Sequence, residues 1–271
     1  MKQWAFALGL SCALVLSSCK TSEKATVTPS VIDTKANLEL RGHQFYTLGA
    51  RDSASAVFQR LLAMDPSNKT ALRDLGSLHY ELAMMDKDEK SSARNEHLRA
   101  SRRYFSDLER QGEHDVDLYD RLCEVSLALG DDKTFLTYAR KSADQYPFDR
   151  QYYNLGIGYF NVGDYQNVIK VEKEAIDKFK GSSYTSSYYR QLGRAYMKVD
   201  RDQTAERTFE DGLKIVNQHL QGRPSQEEYH RLMDDKIAML LSLKHLYQTY
   251  HKDDKLKQVD RQLQDAGYTG K

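Results

Sequence analysis

The stretch YYNLGIGYFNVGDYQ, residues 152–166, carries glycines at 156, 158 and 163. Close glycines can let backbone amides cradle a phosphate. Such a loop needs a preceding strand and, in one class, a Lys-Ser/Thr after the last glycine. Neither is present. The eight histidines form no His-Glu-x-x-His arrangement. His230 and Asp234 lie four apart, one turn of a helix, with Asp235 adjacent; two ligands on a polar helix face are ordinarily a solvated pair. Cys123 has no neighbours that would mark a nucleophile. Carboxylates crowd DKDEK (86–90) and Asp131-Asp132, in runs that read as turns. Ser, His and Asp occur at no informative spacing. These residues imply no catalytic set, no cofactor and no metal.

With Lys+Arg 40 against Asp+Glu 39, the chain lacks the global basic field that nucleic acid would require. Four prolines in 271 residues favour long helices. The 18 tyrosines are not strong helix formers and need a packing role.

The first residues stand apart. MKQWAFALGLSCALVLSSC has one charge, Lys2, then an apolar run from Trp4 to Leu16 that is short for a bilayer span. It reads as a secretory signal. Its end, Leu16-Ser17-Ser18-Cys19, resembles the lipobox of bacterial lipoproteins, in which the signal is cut before an acylated cysteine. The resemblance implies a signal over 1–18 and lipid on Cys19. It further implies, from Lys20 rather than an aspartate, sorting to the outer membrane facing the periplasm. Acyl chains anchor at about 0.8 kcal/mol per buried CH₂. Cys12 leaves with the signal, so only Cys123 remains and no intramolecular disulfide is expected. Residues 19–34 are small and polar and read as a flexible tether.

From residue 35 to 267 the sequence repeats. Leu38, Gly42, Phe45, Ala54, Phe58, Leu61 and Pro66 set a pattern that returns as Leu72, Leu75, Gly76 and Tyr80. It returns again as Tyr119, Leu122, Cys123 and Gly130, then as Tyr152, Leu155, Gly156, Tyr159 and Ala175, then as Tyr189, Leu192, Gly193, Tyr196, Ala205 and Phe209. These offsets resemble the 34-residue tetratricopeptide repeat. The resemblance implies an all-α, right-handed superhelical solenoid of helix-turn-helix repeats near 35–68, 69–115, 116–148, 149–185 and 186–219. A degenerate capping pair follows at 225–266, opened by Ser225 and Glu228 in a capping-box spacing. The segment DKDEKSSARNE is expected to interrupt the second copy. Small residues at 42, 76, 123, 156 and 193 let paired helices approach, and stacking buries what one pair cannot. In this reading Gly163 and Asp164 form the turn between helices, and Gly158 is a tolerated helix glycine.

In the tetratricopeptide family the first helix of each repeat lines a concave groove. Carried over, those positions make an acidic step (Asp120, Glu124), an apolar step (Tyr153, Ile157, Phe160) expected to be exposed, and a basic step (Arg190, Arg194). The two arginines are expected to grip a carboxylate. The chaperone-binding members use lysine and asparagine there, so that function does not carry over. The expectation is a membrane-anchored, non-enzymatic scaffold of the bacterial envelope with a protein partner in the groove. It would serve envelope-complex assembly or recruitment of cell-wall enzymes. A surface adhesin and an enzyme on a solenoid support are the alternatives.

Overall fold

A computed structural model describes residues 34–270. The expected signal, Cys19 and most of the tether lie outside the described residues. Twelve α-helices and no strands occupy the described part. In chain order they are α1 (Lys35–Thr47), α2 (Arg51–Met64), α3 (Lys69–Met85), α4 (Ser92–Arg110), α5 (Val116–Ala128) and α6 (Asp132–Gln145). Then come α7 (Asp149–Asn161), α8 (Tyr165–Lys178), α9 (Thr185–Lys198), α10 (Asp202–Gln221), α11 (Gln226–Thr249) and α12 (Asp253–Asp265). They pair as consecutive hairpins, and each helix packs on its neighbours in chain order; α7 also meets α9, and α9 meets α11. This is a helical-repeat solenoid.

Local chemistry sets the boundaries. Pro66, Pro147 and Pro224 all fall between helices, where a missing N–H costs least. Asn68, Ser91, Asp115, Asp131, Asp164 and Ser225 each accept a hydrogen bond from the backbone N–H three residues on, which satisfies a donor the helix start leaves open. Between α7 and α8 the chain reverses through Gly163 at φ +79, a conformation costly for any residue with a Cβ. Of DKDEKSSARNE, residues 86–91 form the loop between α3 and α4, while residues 92–96 are already helical. The rest of the extra length becomes longer helices, 17 residues in α3 and 19 in α4.

The helix-contact glycines work by admitting an aromatic ring. A Cβ on Gly42 would lie 2.4 Å from Phe58 Cε1, on Gly76 2.6 Å from Phe105 Cε1, and on Gly193 2.4 Å from Phe209 Cε1. The phenylalanines come from the second helix of each pair and are almost wholly buried. Cys123 is buried with its Sγ 4.0 Å from the Phe135 carbonyl oxygen. Gly158 is not merely tolerated: its Cβ would meet Leu136 of α6 at 3.0–3.1 Å, so it allows α7 to approach the preceding pair.

The core is a chain of clusters. Leu38, Phe58 and Leu75 lead into Leu72, Phe105, Leu118 and Tyr119. A small cluster of Cys123, Phe135 and Ala139 follows, touched by Leu155 and Ile157. The largest cluster joins α9 through α12 around Phe209, Met239 and Leu243. The apolar core is therefore thinnest around α5–α7.

Candidate docking surface

The first helices of the pairs, α1, α3, α5, α7, α9 and α11, carry the positions expected to meet a partner. Side chains tie most of these helices to the next. His43 Nε2 lies 2.7 Å from Asp74 Oδ2, and the Tyr46 hydroxyl donates to Glu81. Arg73 pairs at 2.6 Å with Asp115, the residue that caps α5. Arg150 at the start of α7 reaches back to Asp120 at 3.4 Å and Glu124 at 3.3 Å, and Gln151 donates to Asp120 at 3.2 Å. Arg190 donates to the Tyr153 hydroxyl at 3.3 Å and forms an ion pair with Asp235 of α11 at 2.8 Å.

The acidic step is thus partly neutralised. Asp120 and Glu124 line a cleft of about 380 Å³ with Arg73, Ser77, Asp117 and Arg150, with Phe105 beneath. Burial holds the Asp120 carboxyl above the usual aspartate value, opposed chiefly by the Arg150 charge. Asp117 is exposed on the rim.

The apolar step differs from its expectation. Tyr153, Ile157 and Phe160 are each only half-exposed. Ile157 turns toward the Cys123–Phe135–Ala139 cluster and belongs to the core edge. Tyr153 packs on Tyr184 with ring centroids 5.2 Å apart, and Phe160 meets Tyr165 edge-on at 5.4 Å. These rings continue into cations: Arg194 lies 4.2 Å over Phe160, and Arg231 lies 4.6 Å over Tyr184.

The basic step divides. Arg190 is committed: its side chain is 22% exposed and its partner Asp235 2% exposed. Asp235 also accepts from Ser186 Oγ at 2.7 Å and Ser187 Oγ at 2.6 Å, which completes a buried charge-assisted network between α9 and α11. Arg194, one turn on, is exposed, and among the described residues no carboxylate lies within ion-pair distance of it. The expected two-arginine clamp is therefore one structural arginine and one available arginine.

No linear pattern pairs Asp235 with Arg190, 45 residues away, and Glu172 was passed over in the sequence. Glu172 stands sixteen residues after Gly156, the offset that separates Gly42 from Phe58 and Gly193 from Phe209. Its side chain occupies the phenylalanine position: a Cβ on Gly156 would lie 1.7 Å from Glu172 Oε1. That offset was readable in advance; the burial was not.

Remaining chemistry is sparse. Burial, then the Asp120 and Glu124 charges, push the Cys123 thiol up to about 12, so it is not a thiolate. Among the described residues no three His, Cys, Asp or Glu side chains gather as a metal site, and no helix is long and apolar enough to cross a membrane.

The architecture is shared with solved structures. One described as YrrB, a TPR protein with an unusual peptide-binding site, superposes with a TM-score of 0.56 over 69% of this chain and 89% of that one, at 16% identity. The fold is that of tetratricopeptide-repeat proteins. A structure of MamA superposes with a TM-score of 0.57 over 70% of this chain and 96% of its own, also at 16% identity. No family model matches the chain. In sequence, 81 residues are 32% identical to human protein O-mannosyl-transferase TMTC2 and 33% identical to Xenopus laevis tmtc2. The match covers 30% of this chain and 9% of the length of each of those proteins.

Proposed function

We propose that this chain is a protein-interaction scaffold of the bacterial cell envelope, held to the outer membrane by lipid on Cys19 and facing the periplasm. A partner segment lies along the first-helix surface. The observation that carries this is Arg194, an exposed cation stacked on Phe160 beside a run of half-buried aromatics. An arginine backed by a ring is preorganised for a carboxylate, and the ring offers apolar contact to its neighbour. The shared fold with a protein described as having a peptide-binding site supports the same reading. In this reading the role is binding without catalysis. The TMTC2 likeness covers too little of those proteins to bring a transferase activity with it.

A photo-crosslinking residue at Phe160 or Arg194 in intact cells should give one defined protein adduct. Adducts no different from those at an exposed control position on α6 would remove the docking surface. The anchor is tested separately. Cys19→Ala should abolish lipid labelling and move the protein out of the membrane fraction, and unchanged fractionation counts against the anchor.

A further inference from the structure

Glu172 of α8 is 0% exposed, and neither carboxylate oxygen has a hydrogen-bond partner among the described residues. Gln191 of α9, nearly as buried, leaves its Nε2 unpartnered beside it, with Gln191 Oε1 3.5 Å from the point where a Gly156 Cβ would stand. An unsatisfied buried polar group is costly, and an ionised one more so. Three other pairs fill this position with phenylalanine. Tyr153 of α7 and Arg190 of α9 are near enough for the charge of Glu172 to act on them.

We infer that Glu172 is a protonation-controlled latch: neutral, it lets the α7–α8–α9 contact close as observed; ionised, it competes with Asp235 for Arg190 and loosens that contact. The groups facing it are few. Tyr153 comes from α7, and Tyr188, Arg190 and Gln191 from α9, while Asp235 of α11 acts through Arg190. Arg190 is the cation that bears on Glu172, and it is already engaged with Asp235. An ionised Glu172 therefore adds a second carboxylate pulling on a guanidinium that Asp235 already holds. Ionisation of Glu172 draws Arg190 toward α8, frees the Tyr153 hydroxyl and weakens the α9–α11 tie. Protonation returns Arg190 to Asp235. Burial pushes the Glu172 carboxyl well above the ordinary value of 4.5, opposed by Arg190. Folding thus favours the protonated form. The contact is fully stable below the ordinary glutamate range and weakens as pH rises toward the folded value. The consequence for partner binding rests on the docking reading above; the latch itself does not.

The test uses the full chain alone. Wild type and Glu172→Gln are compared from pH 5 to 8 by thermal midpoint and by hydrogen exchange corrected for intrinsic rate. Ionisable groups common to both proteins cancel in the difference. Relative to the variant, wild type should lose stability as pH rises, and local opening of α8, α9 and α11 should increase by about tenfold per pH unit of titration. A gap that does not change with pH overturns the latch. Should Glu172→Gln not fold, Glu172→Phe restores the ring used opposite Gly42, Gly76 and Gly193, and supplies the same comparison. ¹³C-glutamate labelling reads the wild-type carboxyl directly: titration well above the ordinary range supports the latch, and titration within it sinks the idea. Neither readout involves a partner, so failure of the docking surface would leave this result intact.

Discussion

At the scale of single residues, glycine in this molecule is a statement about what lies opposite. Gly193→Ala drives a methyl group into the Phe209 ring at 2.4 Å. Overpacking of this kind costs about 1–3 kcal/mol, partly offset by about 1 kcal/mol of helix propensity. The variant should lower the denaturant midpoint. Gly158→Ala, whose methyl meets Leu136 at 3.0–3.1 Å, should lower it less. The reverse ordering in urea titrations would contradict the ring-admission account. The two arginines should separate in the same way. Arg190→Glu leaves the buried Asp235 facing a like charge, and loss of one partner from such a pair costs about 3–5 kcal/mol. Arg194→Glu should leave the thermal midpoint nearly unchanged while reducing partner crosslinking. A fall in midpoint for Arg194→Glu equal to that for Arg190→Glu would erase the distinction. The spacing of Gly42, Gly76, Gly156 and Gly193 was legible in the sequence because it recurs locally. The partner of Arg190 was not, since nothing in a linear pattern says which helix will bring Asp235 to it.

At the scale of elements, the caps are local and were mostly readable, Ser225 before Glu228 among them; the ties between first helices were not. Asp115 does both, accepting from the Leu118 N–H at 2.8 Å and pairing with Arg73 of α3. Burial works against its ionised form, but the Arg73 and Leu118 hydrogen bonds outweigh it and hold its carboxyl below the ordinary aspartate value. Its contribution is therefore present above the ordinary aspartate range and lost as pH falls through the folded value. Asp115→Ala removes a cap worth about 1 kcal/mol as well as the link to α3. The variant should be less stable than wild type at pH 7, with the gap narrowing toward pH 3. A gap that persists in acid would mean that the charge contributes nothing. The second pair shortens the expected interrupting loop to residues 86–91 for a simple reason. Residues 92–96, SARNE, hold no proline or glycine, so once Ser91 caps the start nothing stops them from being helix.

At the scale of the whole described array, contacts run almost entirely between consecutive helices. Stability is then close to a sum of pair and neighbour terms, and unfolding need not be all-or-none. Leu263→Ala removes a buried side chain of α12, at about 2–5 kcal/mol. It should accelerate hydrogen exchange in α11 and α12 while leaving α1 and α2 unchanged. Uniform acceleration along the chain would show a single cooperative unit instead. The helical class was plain in the sequence because each pair restates one pattern. The thin core around α5–α7 was not, because it depends on how clusters join.

The lengthened helices α3 and α4 carry one more consequence. Helices of equal length would give a threaded segment no geometric zero point. Four residues more than α1 or α5 make α3 longer by about 6 Å. That rung is unlike the ones on either side of it, so a segment lying along the first helices would meet one step of different span from its immediate neighbours.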